Sequence, residues 1–181
     1  AAGWEIESVI ETVKPQRCAQ FMRDGSLISV AERDAPAPQV TRWVRGAGGW
    51  VAEVMDLGPE RKRSWRAFVH PDSGHFVLTE PSWMLAPDRL ARYTAAGRKM
   101  LDLLYSDRRY SSLEAVAFIR EGAMPAGSVL RAGDVLVVDA GSGPWAGKGS
   151  LWRARLDSDE PLELLTEDEL LSAPVDVAVN S

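Results

Sequence analysis

Residues 64–80 read S-W-R-A-F-V-H-P-D-S-G-H-F-V-L-T-E, a pattern that predicts a β-hairpin. Its centre holds four turn-forming residues, Pro71, Asp72, Ser73 and Gly74. With these four as the loop, His70 pairs with His75 and Phe68 with Val77. The opposite face then forms core from Trp65, Ala67, Val69, Phe76 and Leu78. A three-residue loop with a glycine bulge would shift the pairing by one residue and separate the histidines, and turn chemistry leaves both registers open.

Two further hairpins are predicted upstream. In residues 17–32, Asp24-Gly25 is typical of a type I′ turn, which would pair Phe21 with Ile28. Residues 40–57 form the second hairpin, with a glycine-rich turn at its centre. Short strands joined by short connections favour an antiparallel meander, which must bury one face against another layer.

Two central helices are predicted to supply that layer. Residues 87–105 carry apolar residues at helical spacing: Leu90, Tyr93, Gly97, Met100, Leu101 and Leu104. Residues 111–122 begin with a capping box and end at a glycine. A shorter helix is predicted over residues 4–13, where the β-branched residues leave a strand as the alternative, and another is predicted after a second capping box, over residues 166–173.

Residues 125–165 alternate short apolar segments with turns and a long glycine-rich loop. This pattern resembles that of small SH3-like barrels, a likeness of shape only. The sequence therefore predicts an α+β fold, with a meander and helices over residues 1–122 and a small β-rich subdomain over residues 123–181. We find no internal repeat in the sequence.

The composition fits a protein of the cytoplasm. The chain has 181 residues, of which 45% are hydrophobic, enough to build a core. Cys18 is the only cysteine, which excludes an intrachain disulfide and favours a reducing compartment. The apolar runs fall short of the ~20 residues that a membrane-spanning helix needs, so no membrane association is expected.

A basic segment lies beside an indole ring just before the hairpin. Arg61, Lys62, Arg63 and Arg66 surround Trp65. Guanidinium groups next to an aromatic ring can bind phosphate and stack on bases, as RNA or DNA recognition requires. The net charge of −5 makes nucleic acid the weaker choice. A protein partner, or the acidic end of this chain, is the favoured counterpart.

Tryptophan is frequent, with seven residues in the chain. Trp43 and Trp50 flank a glycine-rich turn, and with Trp65 they are predicted to line a ligand cup or a protein-binding groove. Trp145 lies in the glycine-rich loop of residues 141–150, where it could anchor a partner. That loop lacks the spacing of a phosphate-binding loop.

The two histidines are the remaining candidates for chemistry. With Asp72, His70 and His75 form a weak candidate metal site, and either ring could serve as a general base. The sequence contains no HExxH motif to support this role. We therefore expect a non-catalytic cytoplasmic binding or regulatory protein that needs no cofactor and acts through protein contacts or self-association. A hydrolase or metal-dependent enzyme using these histidines, and a nucleic-acid binder using residues 61–66, are the alternatives.

Overall fold

The protein folds as an all-β structure in the computed structural model. The described residues are 9–10, 12, 15–31, 40–57, 66–80, 89–105, 112–120, 122, 127–141, 148–158, 160–168, 171, 174 and 177–178. Within these ranges there are twelve β-strands and no helix. They form three antiparallel sheets of four strands each, and in every sheet the spatial order of the strands follows the chain.

The first sheet contains β1 (Gln16–Phe21), β2 (Leu27–Ala31), β3 (Val40–Gly46) and β4 (Gly49–Val54). The second contains β5 (Arg66–Val69), β6 (Phe76–Glu80), β7 (Arg89–Tyr93) and β8 (Lys99–Tyr105). The third contains β9 (Leu113–Phe118), β10 (Asp134–Asp139), β11 (Gly149–Arg155) and β12 (Glu163–Asp168). Contacts between sheets run chiefly through their first strands, from β1 to β5 and from β5 to β9. Adjacent blades of a β-propeller are arranged in this way.

The second sheet lies between the other two, which cover the two faces of its strands β5, β6 and β7. One face packs against the first sheet, in a cluster of Met22, Ile28, Val30 and Val40 with Ala67, Phe76, Leu78, Ala91 and Tyr93. The other packs against the third, in a cluster that joins Phe68, Val77 and Leu90 to Val116, Val135, Val137, Trp152 and Ala154. Every residue of β6 is buried, because each side of the strand meets a neighbouring sheet.

The hairpin of residues 66–80 has the four-residue loop, so that register is confirmed. The His70 amide donates a hydrogen bond to the His75 carbonyl oxygen at 2.7 Å, and Phe68 pairs with Val77. The sequence predicts core only on the face of Ala67, Phe76 and Leu78, but the face of Phe68 and Val77 is buried as well.

The pairing predicted for the first hairpin is wrong by one residue. Phe21 pairs with Leu27, and the Met22 amide donates to the Ser26 carbonyl oxygen at 2.7 Å. The loop thus has three residues, with Gly25 in the left-handed region at φ 81°. This is the longer hairpin loop with a glycine bulge rather than a type I′ turn.

The two central helices are also wrong. Residues 87–105 contribute β7 and β8, and residues 111–122 contribute β9. The glycine in the supposed helical stripe is a turn residue, since Gly97 has φ 83° and donates to the Thr94 carbonyl oxygen at 2.9 Å. Strands covered on both faces carry apolar residues at successive positions, so a helical spacing can be found in them by chance.

The C-terminal strands complete one meander with β9, so the α+β class and the SH3-like C-terminal part are corrected to an all-β architecture. Residue 166, where a short helix was expected to begin, lies in β12. The helix predicted over residues 4–13 falls almost wholly outside the described residues. In the described ranges, no helix has the length and apolar character to span a membrane.

The three sheets repeat one turn geometry. The residue after the first strand donates its amide to a carbonyl oxygen at the start of the second strand: Met22 to Ser26 and His70 to His75, each just before the strand, and Ile119 to Asp134, the first residue of β10. The carbonyl oxygen of that same residue accepts a hydrogen bond from a glycine amide in each sheet. Gly25 donates to Met22, Gly74 to His70 and Gly133 to Ile119. The structure therefore contains an internal repeat that we did not find in the sequence.

Side chains of β1 fix the position of the second sheet relative to the first. The Ala67 amide donates to Cys18 Sγ at 3.2 Å, and the Val69 amide donates to Gln20 Oε1 at 2.8 Å. These amides point away from β6, along the edge of β5 that has no strand beside it in its own sheet. Side chains of the first sheet thus supply hydrogen-bond acceptors for backbone amides on the unpaired edge of β5.

Candidate functional site

The outer face of the first sheet is the candidate site. Strand pairing places its members on one side of the sheet: Ala19, Phe21, Leu27, Ser29, Thr41, Trp43, Arg45, Trp50, Ala52 and Val54. The opposite side carries Ile28, Val30 and Val40, which pack against the second sheet. The outer face is therefore turned away from the second sheet.

Apolar side chains on this face are exposed. Phe21 is 69% exposed and Val54 is 64% exposed. Leu27, Trp43 and Trp50 are half-buried. The Trp43 indole donates Nε1–H to Ser29 Oγ at 2.8 Å, so its polar group is already satisfied within the sheet. The ring then offers apolar surface, which suits contact with another apolar face.

The corresponding face of the second sheet shows what such a surface normally meets. Phe76 directly follows the turn residue His75, as Leu27 follows Ser26, and it pairs with Tyr93 as Leu27 pairs with Trp43. The Phe76 and Tyr93 rings stack with centroids 5.3 Å apart. Both are fully buried under the first sheet. The pair on the outer face occupies the same place without that cover.

The sequence identified only part of this face. Trp43 and Trp50, both predicted binding residues, do lie on it. Phe21, Leu27 and Val54 were not among the predicted binding residues. The signal that could have revealed Leu27 is its place two residues after a turn glycine, a place taken by Phe76 after Gly74 and by Val135 after Gly133.

The predicted basic and tryptophan sites are only partly described. Arg61, Lys62, Arg63, Trp65 and Trp145 lie outside the described residues.

Arg66 is described, and it faces the third sheet rather than the outer face of the first. Its Nη2 lies 3.7 Å from Glu114 Oε2. Its amide donates to Thr79 Oγ1 at 3.2 Å. The guanidinium therefore bridges the second and third sheets, away from Trp43 and Trp50.

The two histidines have separate partners. His70 Nδ1 accepts hydrogen bonds from the amides of Asp72 and Ser73, each at 3.2 Å. Its ring meets Phe118 edge-on at 4.9 Å, and burial lowers the pKa of His70 although Asp72 opposes the shift. His75 Nδ1 lies 3.1 Å from Arg92 Nη2. Burial, followed by that guanidinium, lowers the pKa of His75.

These histidines do not converge on a common centre. Among the described residues, no three His, Cys, Asp or Glu side chains are grouped so that they could hold a metal ion. Asp72, the third member of the predicted site, pairs through Oδ1 with Arg120 Nη2 at 3.2 Å. The arrangement ties the β5–β6 turn to the third sheet.

A shallow cavity of about 360 Å³ lies at the turn end of the first two sheets, lined by Met22, Arg23, Asp24, Ser73, Gly74 and Ala95. Its charged groups are bound to protein partners. Arg23 donates to the Asp72 carbonyl oxygen, and Asp24 forms an ion pair with Arg42. Hydrogen bonds from the Ser26 hydroxyl and amide, and then Arg42, lower the pKa of Asp24. These hydrogen bonds and the ion pair stabilise the turns, and the cavity is the weaker candidate site.

Cys18 is built into the interface between the first two sheets. Its sulfur accepts the Ala67 amide, and burial raises the pKa of the thiol although that hydrogen bond opposes the shift. A protonated, half-buried thiol is a poor nucleophile.

The outer face is thus an apolar surface and not a cluster of catalytic or metal-binding side chains.

Comparison of the sequence with models of protein families and with curated proteins found no match.

Proposed function

We propose that the protein is a non-catalytic cytoplasmic binding protein, and that the outer face of the first sheet is its protein-binding surface. The observation that carries this proposal is the exposure of Phe21 and Val54 beside Leu27 and Trp43, on a face whose equivalent pair in the second sheet, Phe76 and Tyr93, is fully buried. Transferring one such side chain from water into an interface is worth about 1.5–3 kcal/mol.

The chemistry of this face favours a protein over a polyanion. Its members are mostly apolar, with Arg45 as the one ionisable member. Arg66, the described residue of the basic segment, is engaged with Glu114. The overall charge of −5 also disfavours a long phosphate backbone. Use of the histidines by an enzyme, and of residues 61–66 by a nucleic-acid binder, stay predictions.

A cytoplasmic location is proposed on the cysteine content. The single cysteine, Cys18, forms no disulfide, and the chain relies on apolar packing between sheets for its stability. Proteins of oxidising compartments more often use disulfides for this purpose.

The proposal is tested by the native size of the tagged protein in extracts of cells that produce it. Wild type should elute in an assembly larger than the 19.8 kDa chain. Phe21→Asp should elute at the size of the chain, because a buried unpaired carboxylate opposes association. Val129→Asp is the matched control, since Val129 is also 69% exposed but lies outside the first sheet. Elution of all three proteins as single chains would refute the proposal.

A further inference from the structure

We infer that the contact between the second and third sheets contains a pH-sensitive joint at its turn end, which is complete only while His70 and His75 are uncharged. Protonation of the two rings releases this end of the third sheet and leaves the first sheet in place against the second. The joint lies away from the outer face of the first sheet, so this inference does not depend on the proposed binding surface.

The joint consists of three contacts that cross from the second sheet to the third, beside the turn between β5 and β6. They are an edge-on ring contact at 4.9 Å, an ion pair at 3.2 Å and a hydrogen bond at 3.1 Å, formed respectively by His70 with Phe118, Asp72 with Arg120, and Arg92 with the Leu156 carbonyl oxygen. Phe118 ends β9, and Leu156 directly follows β11. These contacts therefore fasten the ends of two strands of the third sheet to the second sheet.

The hydrogen bonds of the two rings fix their protonation states. His70 Nδ1 accepts from the amides of Asp72 and Ser73, which can only donate. His75 Nδ1 lies 3.1 Å from Arg92 Nη2, and a guanidinium also has donors and no acceptor. An imidazolium carries a proton on both nitrogens, so it can accept none of these hydrogen bonds. Both rings are therefore uncharged in the closed joint, with the proton on Nε2.

Protonation of either ring removes support from a polar contact of the joint. An imidazolium at position 75 loses the hydrogen bond with Arg92 and repels that guanidinium, which also holds the Leu156 carbonyl oxygen. An imidazolium at position 70 releases the Asp72 amide and competes with Arg120 for the Asp72 carboxylate. The ion pair and the hydrogen bond with the third sheet thus weaken together.

The groups around the two rings favour the uncharged state. Burial lowers the pKa of His70, Asp72 raises it, and Arg92, His75 and Arg120 lower it further. Burial and then Arg92 lower the pKa of His75. Because the closed joint lowers the pKa of both histidines, its release takes up protons and becomes more favourable as the pH falls through about 6.5.

The contact between the first and second sheets is held by groups that keep one charge state over the same pH range. The Ala67 amide donates to Cys18 Sγ, and the Val69 amide donates to Gln20 Oε1. Glutamine does not titrate, and burial raises the pKa of the Cys18 thiol, so the thiol stays protonated. This contact should therefore not respond to mild acid.

Apolar packing limits the release to the turn end. Beyond the joint, Phe68, Val77 and Leu90 of the second sheet pack against Val116 and Trp152 of the third. These side chains do not titrate, so they hold the two sheets together at every pH. Acid therefore changes how the sheets meet at one end and does not unfold the chain.

¹⁵N spectra of the histidine side chains in the full chain test the protonation states directly. At about pH 7.5, both rings should give the signals of the uncharged form with its proton on Nε2. A proton on Nδ1 of either ring would overturn the inference, because that ring could not accept the hydrogen bonds on which the joint depends.

Methyl relaxation-dispersion NMR measures the population of the released conformation. Ile119 and Met22 are matched probes, because each is buried and directly follows the first strand of its sheet. Between about pH 7.5 and about pH 5.5, the released population detected at Ile119 and Leu156 should rise at least about threefold, and the population detected at Met22 should not change. An equal rise at Met22, or no rise at Ile119, would contradict the joint.

The double variant His70→Asn and His75→Asn identifies the titrating groups. Asparagine places an acceptor oxygen where Nδ1 lies and does not titrate, so the population detected at Ile119 should no longer depend on pH. A rise that persists in this variant would assign the response to another group and overturn the inference. Far-UV circular dichroism shows whether the variant folds, and if it does not, the two measurements on the wild type decide.

Discussion

The first and second sheets have the same topology and the same turn hydrogen bonds, yet they are buried to different extents. The second sheet meets a neighbour on each face, so β6 is buried at all five positions. In the first sheet, the equivalent strand β2 is buried at four of its five positions, and Leu27, on the outer face, is the one that is only half-buried. The comparison teaches that the apolar pattern of a strand in this protein records how many of its faces are covered, and does not record its topology.

The largest expected effect comes from truncating equivalent residues in the two sheets. Phe76→Ala should lower the free energy of unfolding by about 3–5 kcal/mol, because it leaves a cavity between two sheets. Leu27→Ala should cost about 1 kcal/mol or less, since Leu27 is only half-buried. Urea denaturation of the two purified variants and of the wild type measures both. Equal losses would show that the outer face is covered within the single chain.

A second test uses two turn glycines with nearly equal backbone angles. Gly97 (φ 83°) would place a Cβ 2.9 Å from Met55 Cε, whereas Gly25 (φ 81°) would meet nothing within 4 Å. Both changes to alanine strain the backbone, by about 1–3 kcal/mol. Gly97→Ala should cost the more of the two, because it also pushes on the contact between the first and second sheets. A larger shift in the urea midpoint for Gly25→Ala would contradict this placement of Met55.

The smallest expected effect is a pH dependence at His70. Burial lowers its pKa in the folded state, so the unfolded chain takes up a proton first as the pH falls through about 6.5. Stability should therefore decrease between about pH 7.5 and pH 5.5, by less than about 1 kcal/mol.

The control for this effect is His70→Asn, which keeps an acceptor for the Asp72 amide but does not titrate. It should reduce the slope of stability against pH, and His75, whose pKa is lowered in the same direction, should supply the remainder. An unchanged slope would show that His70 titrates alike in both states.

The chain reversal within residues 64–80 was predictable from the sequence, whereas the turn type at Asp24-Gly25 and the coverage by neighbouring sheets were not. Turn residues and alternation predict this hairpin with two open registers, and the structure has the one with the loop of residues 71–74 and Phe68 paired with Val77. Residues 87–105 were assigned to a helix because their strands are apolar at successive positions. The helical spacing includes Gly97, although this residue marks the turn between β7 and β8.

The candidate site was predictable in one respect. Trp43 and Trp50 stood out by composition and do share a face. Phe21 and Leu27 did not stand out, because the register of their hairpin was misread by one residue, which moves every side chain to the opposite face.

The hydrogen bonds from the Ala67 amide to Cys18 and from the Val69 amide to Gln20 fix the position of β5 along β1. Each strand advances by two residues from one bond to the next, so the two bonds can form together at only one height of β1 against β5. Apolar packing alone would tolerate sliding along the strands, since it has no preferred direction. Inserting a single residue between Cys18 and Gln20 would prevent the two hydrogen bonds from forming together, even if every buried side chain were kept.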